Sequence, residues 1–205
     1  QAADAPVEQP DQVSLLIADA VNGTGDPVFE GALEQALAIG LESAPFISSY
    51  PRHTALSIAS RLGDEAGGLG EEQARLVALR EGISLVVLPA INSAGGAFRL
   101  SVRAINAQSG EQVFEEFTAQ ADDKGEVLQA VTALVDDIRE GLGDVIVEED
   151  VARETFTAAS IEAVSYYTRA QALARSGRDE EAIPLYESAT REDPGFGRAY
   201  SGWAL

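Results

Sequence analysis

An α/β (α+β) mixed-sheet layer domain followed by an all-α helical hairpin is the fold that this 205-residue chain predicts. Three observations carry it. Short apolar runs bounded by Gly and Pro alternate with helical-period segments up to about residue 82, the pattern of strands and helices packed in layers. Three consecutive strand-like runs between 83 and 120 then read as a meander. From Ser160 onward the pattern changes to paired helices, with small and aromatic residues recurring at a repeat spacing.

Taken in order, "VSLLIADAV" (13–21) is apolar and β-branched and predicts a buried strand. "NGTGDP" follows, and Asp26 with Pro27 predicts a helix start. Phe29, Leu33, Ala36, Leu37 and Leu41 then share one helical face. "PFISSY" (45–50) predicts a second strand, and 52–62 a helix with Ala55, Ile58, Ala59 and Leu62 in phase. Glycines make 63–70 a loop, and 71–82 reads as a helix stopped by Gly82. "ISLVVLPAIN" predicts a central strand and "SAGG" a turn. In "AFRLSVRAIN", Phe98, Leu100, Val102 and Ala104 face inward while Arg99, Ser101 and Arg103 face out. "EQVFEEFTAQ" (111–120) is the last strand, and 125–143 is a helix whose stripe is Val127, Val131, Leu134, Val135, Ile138 and Leu142. The division predicted is a linker at 1–12, the sheet domain at 13–147, an acidic connector at 148–159 and a helical array from 160. Because the core stripe ends at Leu142, removal of 155–205 is expected to leave the first domain folded.

The array has the spacing of a 34-residue tetratricopeptide repeat. Counting from Ala163, Tyr166 takes the large aromatic position, Ala170 the small one and Leu173 the mid-helix apolar one. Ala182, Tyr186, Ala189 and Pro194 fall on the second-helix signature, and Tyr200, Trp203 and Ala204 restart the register. Small residues are needed where paired helices cross closely, and aromatics fill the space beside them. Arg169 stands where an apolar residue is usual. The chain stops inside its second repeat, so the parent protein is expected to continue. Tyr166, Tyr200 and Trp203 are expected in the core. Tyr167, Gln171 and Arg175, one step round the first helix, are the candidate peptide-groove contacts.

Composition bounds the function. Thirty-four Asp and Glu against 14 Lys and Arg give a net charge of -20, which repels phosphate backbones and excludes nucleic acid as the expected partner. No Cys is present, so thiolate catalysis, disulfides and Cys-ligated metal are excluded. No Met is present either, which predicts a processed protein or an excised segment. The longest apolar run is far below the roughly 20 residues of a membrane helix.

The glycine loop at 22–27 raises the question of phosphate binding. A Walker loop needs Lys and Ser or Thr after its last Gly, whereas Asp26 would repel phosphate and Pro27 has no N–H to donate. A turn with a helix cap is the favoured reading. His53 is the only histidine, and no G-x-S-x-G elbow accompanies it. Zinc lacks a His pair, and the acidic run 148–150 lacks calcium-loop spacing. A hydrolase using Asp26, Asp136 and Asp137 is the enzymatic alternative; adjacent carboxylates on one helix diverge, so Asp136 and Asp137 read as a solvated face. The chain is therefore expected to carry no catalytic residue, no cofactor and no metal.

Two blocks carry a family resemblance. "VSLLIADAVNGTGDPVFEGALEQALAIGL" resembles the opening of TolB-amino-terminal-like domains, in which an apolar strand leads through an Asn-x-[Ser/Thr]-Gly-Asp-Pro turn into an amphipathic helix. "LREGISLVVLPAINSAGGAFRLSVRAINAQSGEQVFEE" resembles that family's second block. Joined to the repeat-like 156–205, the whole resembles the extracytoplasmic region of bacterial receptor-like serine/threonine protein kinases with tetratricopeptide repeats. In that family the kinase domain is cytoplasmic and precedes one membrane span. H-R-D, D-F-G and the Gly-rich ATP loop are absent here, so no kinase residue carries over. The resemblance implies a non-catalytic extracytoplasmic sensor and protein-interaction module, periplasmic or cell-surface, tethered by an upstream span. Its partner would be a protein or peptide held in the repeat groove. The alternative is an exported periplasmic repeat scaffold with no kinase.

Overall fold

The computed structural model describes residues 12–62, 68–143 and 160–203. The strands are β1 (Val13–Ile17), β2 (Val21–Asn22), β3 (Ile47–Ser49), β4 (Leu85–Ala94), β5 (Ala97–Asn106) and β6 (Phe117–Ala121). The helices are α1 (Ala32–Leu41), α2 (Arg52–Arg61), α3 (Glu71–Glu81), α4 (Val127–Gly141), α5 (Ile161–Arg175), α6 (Asp179–Glu192) and α7 (Gly197–Trp203). Short 3₁₀ turns at Pro27–Phe29 and Lys124–Glu126 precede α1 and α4. The linker at 1–11, the loop at 63–67, the connector at 148–159, the side chain of Trp203 and residue Ala204 lie outside the described residues.

The strands form one mixed sheet in the order β3-β1-β4-β5-β6, with β2 also on β4. β1 is parallel to β3 and to β4, while β4, β5 and β6 are antiparallel neighbours. The β4–β5 ladder runs unbroken to Ala94 opposite Ala97. Gly95 and Gly96, both at positive φ, close it as a two-residue hairpin turn, a tighter turn than the four-residue one expected from "SAGG".

The sequence predicted one strand over 13–21, and the structure divides it. From Ile17 opposite Val87 to Val21 opposite Ala90, the first strand advances four residues while β4 advances three. The extra residue is a bulge facing Pro89. Val87 and Ile91 turn their carbonyls toward this neighbour, accepting from Ala18 N and Gly23 N. Strand alternation places Pro89 on the same side, where it has no N–H to offer. Asp19, in the bulge, exchanges backbone and side-chain bonds with Leu69 instead. The helix expected from Asp26 is likewise broken, because Gly31 at φ 73 separates the 3₁₀ turn from α1. β6 begins at Phe117 rather than 111, the earlier stretch touching β5 through a single Ile105–Gln112 bridge. Leu62, expected in phase with α2, is exposed.

Two cores flank the sheet. Ala55, Ile58 and Ala59 of α2 and Ala74, Val77 and Ala78 of α3 cover one face over Leu16, Val86 and Leu88. α1 and α4 cover the other, over Leu15, Val87, Leu100 and Val102. That second core does not stop at α4. It continues without a break through Ile161, Val164, Tyr167 and Ala170 of α5 into Ala182, Tyr186 and Ala189 of α6. α1 is the shared element, packed against α4 and also against α5. Seven of its ten residues are consequently buried, as a helix covered on more than one side requires. Among the described residues, no helix is long and apolar enough to cross a membrane.

Candidate functional site

The glycine loop is filled by its own side chains. Asn22 Oδ1 accepts from Thr24 N (3.1 Å) and from the Thr24 hydroxyl (2.6 Å), and Thr24 Oγ1 accepts from Asp26 N (3.0 Å). Asp26 Oδ1 caps the 3₁₀ turn by accepting from Val28 N (3.0 Å). Asp26 also pairs with Lys124, whose hydrogen bond, together with the Val28 N–H, holds its carboxyl below the ordinary range. The N–H groups of Gly23, Thr24, Asp26 and Val28 are thus occupied, beside a carboxylate that would repel an anion. His53 is exposed in the first turn of α2, with its ring within 3.3 Å of Thr54 Oγ1.

The three groove candidates lie on one stripe of α5, and the structure places them differently. Tyr167 is only 6% exposed. Its ring meets Phe196 edge-on at 5.1 Å and Tyr186 at 6.1 Å. The turn after α6 brings Phe196 back over the first helix and covers this position, so Tyr167 is a core residue instead of an open surface. Tyr166, expected in the core, is half-buried at its edge, and Tyr200, expected there too, is exposed. Tyr166 shares a cleft with Asp26, Glu30, Glu162 and Arg169. That placement accounts for the unusual Arg169, which faces an acidic turn of the sheet unit rather than an apolar neighbour. Gln171 is half-buried and Arg175 exposed. Gln171 Nε2 donates to the Tyr167 hydroxyl, and Arg175 Nη2 donates to Gln171 Oε1 at 2.8 Å. Burial raises the Tyr167 phenol, partly opposed by Arg198 and Arg175.

A second cleft has no counterpart in the sequence expectations. It opens at the carboxyl ends of the parallel strands β1 and β3, where open α/β sheets commonly hold ligands. Its walls come from α1, the start of α2, α5 and the first turn of α7, and its volume is about 430 Å³. At its base lies a charged trio. Arg52 Nη2 pairs with Asp19 Oδ1 and lies 3.8 Å from Glu34 Oε1. Glu34, 4% exposed, accepts from Ala20 N at 2.9 Å through Oε1. Glu34 Oε2 and Arg52 Nη1 have no hydrogen-bond partner among the described residues. Burial raises the Glu34 carboxyl, against the opposing pull of Arg52 and the Ala20 N–H. A sequence signal for Glu34 existed. In "ALEQALAIGL" only Glu34 and Gln35 are polar, and a helix apolar almost all round is a buried one. A carboxylate there needs a partner.

Comparison with known proteins places the repeat. The tetratricopeptide-repeat family profile matches residues 163–205, which cover most of α5 and all of α6 and α7. This part of the chain is a helical repeat of a class whose stacked helices build concave protein-binding surfaces. No curated protein matches the chain. Among solved structures, the LpoB C-terminal domain from Salmonella enterica is similar at 17% identity and a TM-score of 0.49, covering 57% of this chain and 87% of that one. Lipoprotein GNA1162 from Neisseria meningitidis is similar at 16% identity and a TM-score of 0.46, covering 62% and 96%. TolB from Acinetobacter baumannii is similar at 15% identity and a TM-score of 0.42, covering 67% and 30%.

Proposed function

We propose that this chain is a non-catalytic extracytoplasmic module that binds a protein or peptide through its repeat hairpin and senses that binding through the sheet unit. One observation carries the reading: the tetratricopeptide hairpin is seated on α1, the helix that also covers the sheet, so both parts share a core. Gln171 and Arg175 are the contacts offered to the partner, and Tyr167 holds Gln171 from behind. A guanidinium with a spare fork beside an amide suits backbone carbonyls and carboxylates of a peptide. The domain order supports a parent that is a bacterial receptor-type serine/threonine kinase. In that setting the module is periplasmic or cell-surface, it meets the membrane only through a span outside this segment, and partner binding biases kinase orientation or pairing. An exported scaffold without a kinase is the other parent the order allows.

Two measurements test this. A displayed peptide library selected on the whole chain should yield sequences whose affinity falls about tenfold with Arg175→Glu, the size of one lost charged hydrogen bond. Peptides that bind the variant equally would refute the groove assignment. Reading the coding sequence upstream separates the parents: a kinase domain and a span support the receptor, and a signal peptide alone supports the scaffold.

A further inference from the structure

We propose that the cleft shared by Tyr166 and the 3₁₀ turn at Pro27–Phe29 is a binding slot for a neutral sugar, one hexopyranose ring or a short chain of them. The slot uses none of the residues assigned to the peptide, so the two readings stand or fall separately. Glu162, Ser165, Tyr166 and Arg169 line it from α5. Their spacing puts all four on one helical face. Glu162 and Arg169 end that stripe about 10 Å apart along the helix axis. Asp26, Pro27, Val28 and Glu30 form the opposite wall.

The polar groups of the slot are mostly uncommitted. Ser165 is 6% exposed, yet its hydroxyl makes no hydrogen bond among the described residues. Among those residues, the partnerless side-chain atoms cut off from solvent are those of Glu34 and Arg52, so Ser165 Oγ opens into the slot that it lines. The Tyr166 hydroxyl, Glu30 and Arg169 make no side-chain hydrogen bond or ion pair among the described residues, and Glu162 engages only the Ser160 hydroxyl, at 3.0 Å. Asp26 is the exception, held by Lys124 and the Val28 N–H.

The arrangement of charge decides the class of ligand. An anion would meet Glu30 and Glu162, and a cation would meet Arg169. A zwitterion needs the two signs sorted to opposite ends. Here Glu30 precedes Gly31, whose added Cβ would lie 3.2 Å from Thr168 Cγ2, so a carboxylate stands toward the Arg169 end as well. A neutral alcohol suits every group: its O–H donates to the carboxylates, its oxygen accepts from the guanidinium, and it does both with the hydroxyls of Ser165 and Tyr166. The Tyr166 ring on one wall, with Pro27 and Val28 on the other, adds apolar surface for the C–H faces of a ring. A volume of about 560 Å³ lies within the range of small-molecule sites and accommodates a disaccharide.

The test is saturation-transfer NMR with calorimetric titration of the whole chain, using cellobiose and maltose. Sorbitol, methylguanidinium and acetate are the comparisons: the first keeps the hydroxyls without the ring, and the ions each satisfy one sign. Saturable binding of at least one disaccharide is expected, with each comparison at least about tenfold weaker. Ser165→Ala and Arg169→Ala should each weaken the disaccharide by about three- to tenfold, the size of a lost hydrogen bond. Alanine suits a helix, so both variants should stay folded. No saturable binding of either disaccharide, equal binding of any comparison, or full affinity in either variant would overturn the proposal and leave Ser165 to water. Selected peptides that still depend on Arg175 would in that case keep the hairpin reading intact, and loss of that dependence alone would leave the sugar slot standing.

Discussion

Glu34 sits at the point where the two halves of the chain, the sheet end and the cleft meet, and its titration has a definite sign. Burial raises its folded-state pKa above the unfolded value, so the folded protein holds this proton more tightly than the unfolded chain. Stability from this group is therefore present below the ordinary carboxylate range and falls as pH rises toward the raised value. Glu34→Gln keeps the shape and removes the titration. Urea unfolding at about pH 4 and about pH 7 should find the variant close to wild type in acid and more stable near neutrality. A variant less stable at neutral pH would mean that the charged pair with Arg52 outweighs its desolvation. The residue scale was also where sequence reasoning was least complete. Repeat spacing identified the aromatic pair 166–167 but missed that Tyr167 is the fully buried member, because Phe196 folds back over Tyr167 while Tyr166 packs at the core's edge beside the sheet unit. Neither neighbour can be inferred from helical period alone.

At the scale of elements, the close crossing of α1 and α4 rests on Gly40. A Cβ there would lie 2.7 Å from Val135 Cγ2 and 3.2 Å from Cγ1. Val135 is β-branched on a helix and has little freedom to turn away. Gly40→Ala gains up to about 1 kcal/mol of helix propensity and loses about 1–3 kcal/mol to overpacking. A net destabilisation is expected in urea unfolding, and a stabilised variant would show that α1 shifts freely on α4. Most elements were legible because periodicity reports burial directly. The five core residues of α4 named in the sequence, from Val127 to Ile138, are all buried, and Gly82 ends α3 at positive φ. The departures have local causes of other kinds. A proline in the neighbouring strand produces the bulge after Ile17, and a left-handed glycine divides the first helix. The late start of β6 belongs to strand register, which period-two patterning does not fix over a stretch as charged as "EQVFEEF".

On the scale of the whole molecule, the chain predicts two units, and the structure joins them through α1. The expectation that the sheet domain stands without 155–205 rested on a core stripe ending at Leu142, yet the core passes through α1 into α5 and α6. That continuity couples the hairpin to α1 and the sheet through one packed core. The cleft exists only while the hairpin is docked, since α5 forms one of its walls. The mixed-sheet fold and the repeat were readable from the sequence, whereas the cleft was not, because its residues come from two strand ends and four helices separated in the chain.

The central claim is that hairpin and sheet unit behave as one body, and native-state hydrogen exchange on the wild type and Tyr167→Ala tests it most directly. The substitution empties a ring site in the hairpin core and should cost about 3–5 kcal/mol. If α1 depends on the hairpin, its amides from Ala32 to Leu41 lose protection together with those of α5 and α6. Loss confined to 160–203, with α1 as protected as in the wild type, would contradict the account and restore two independent units.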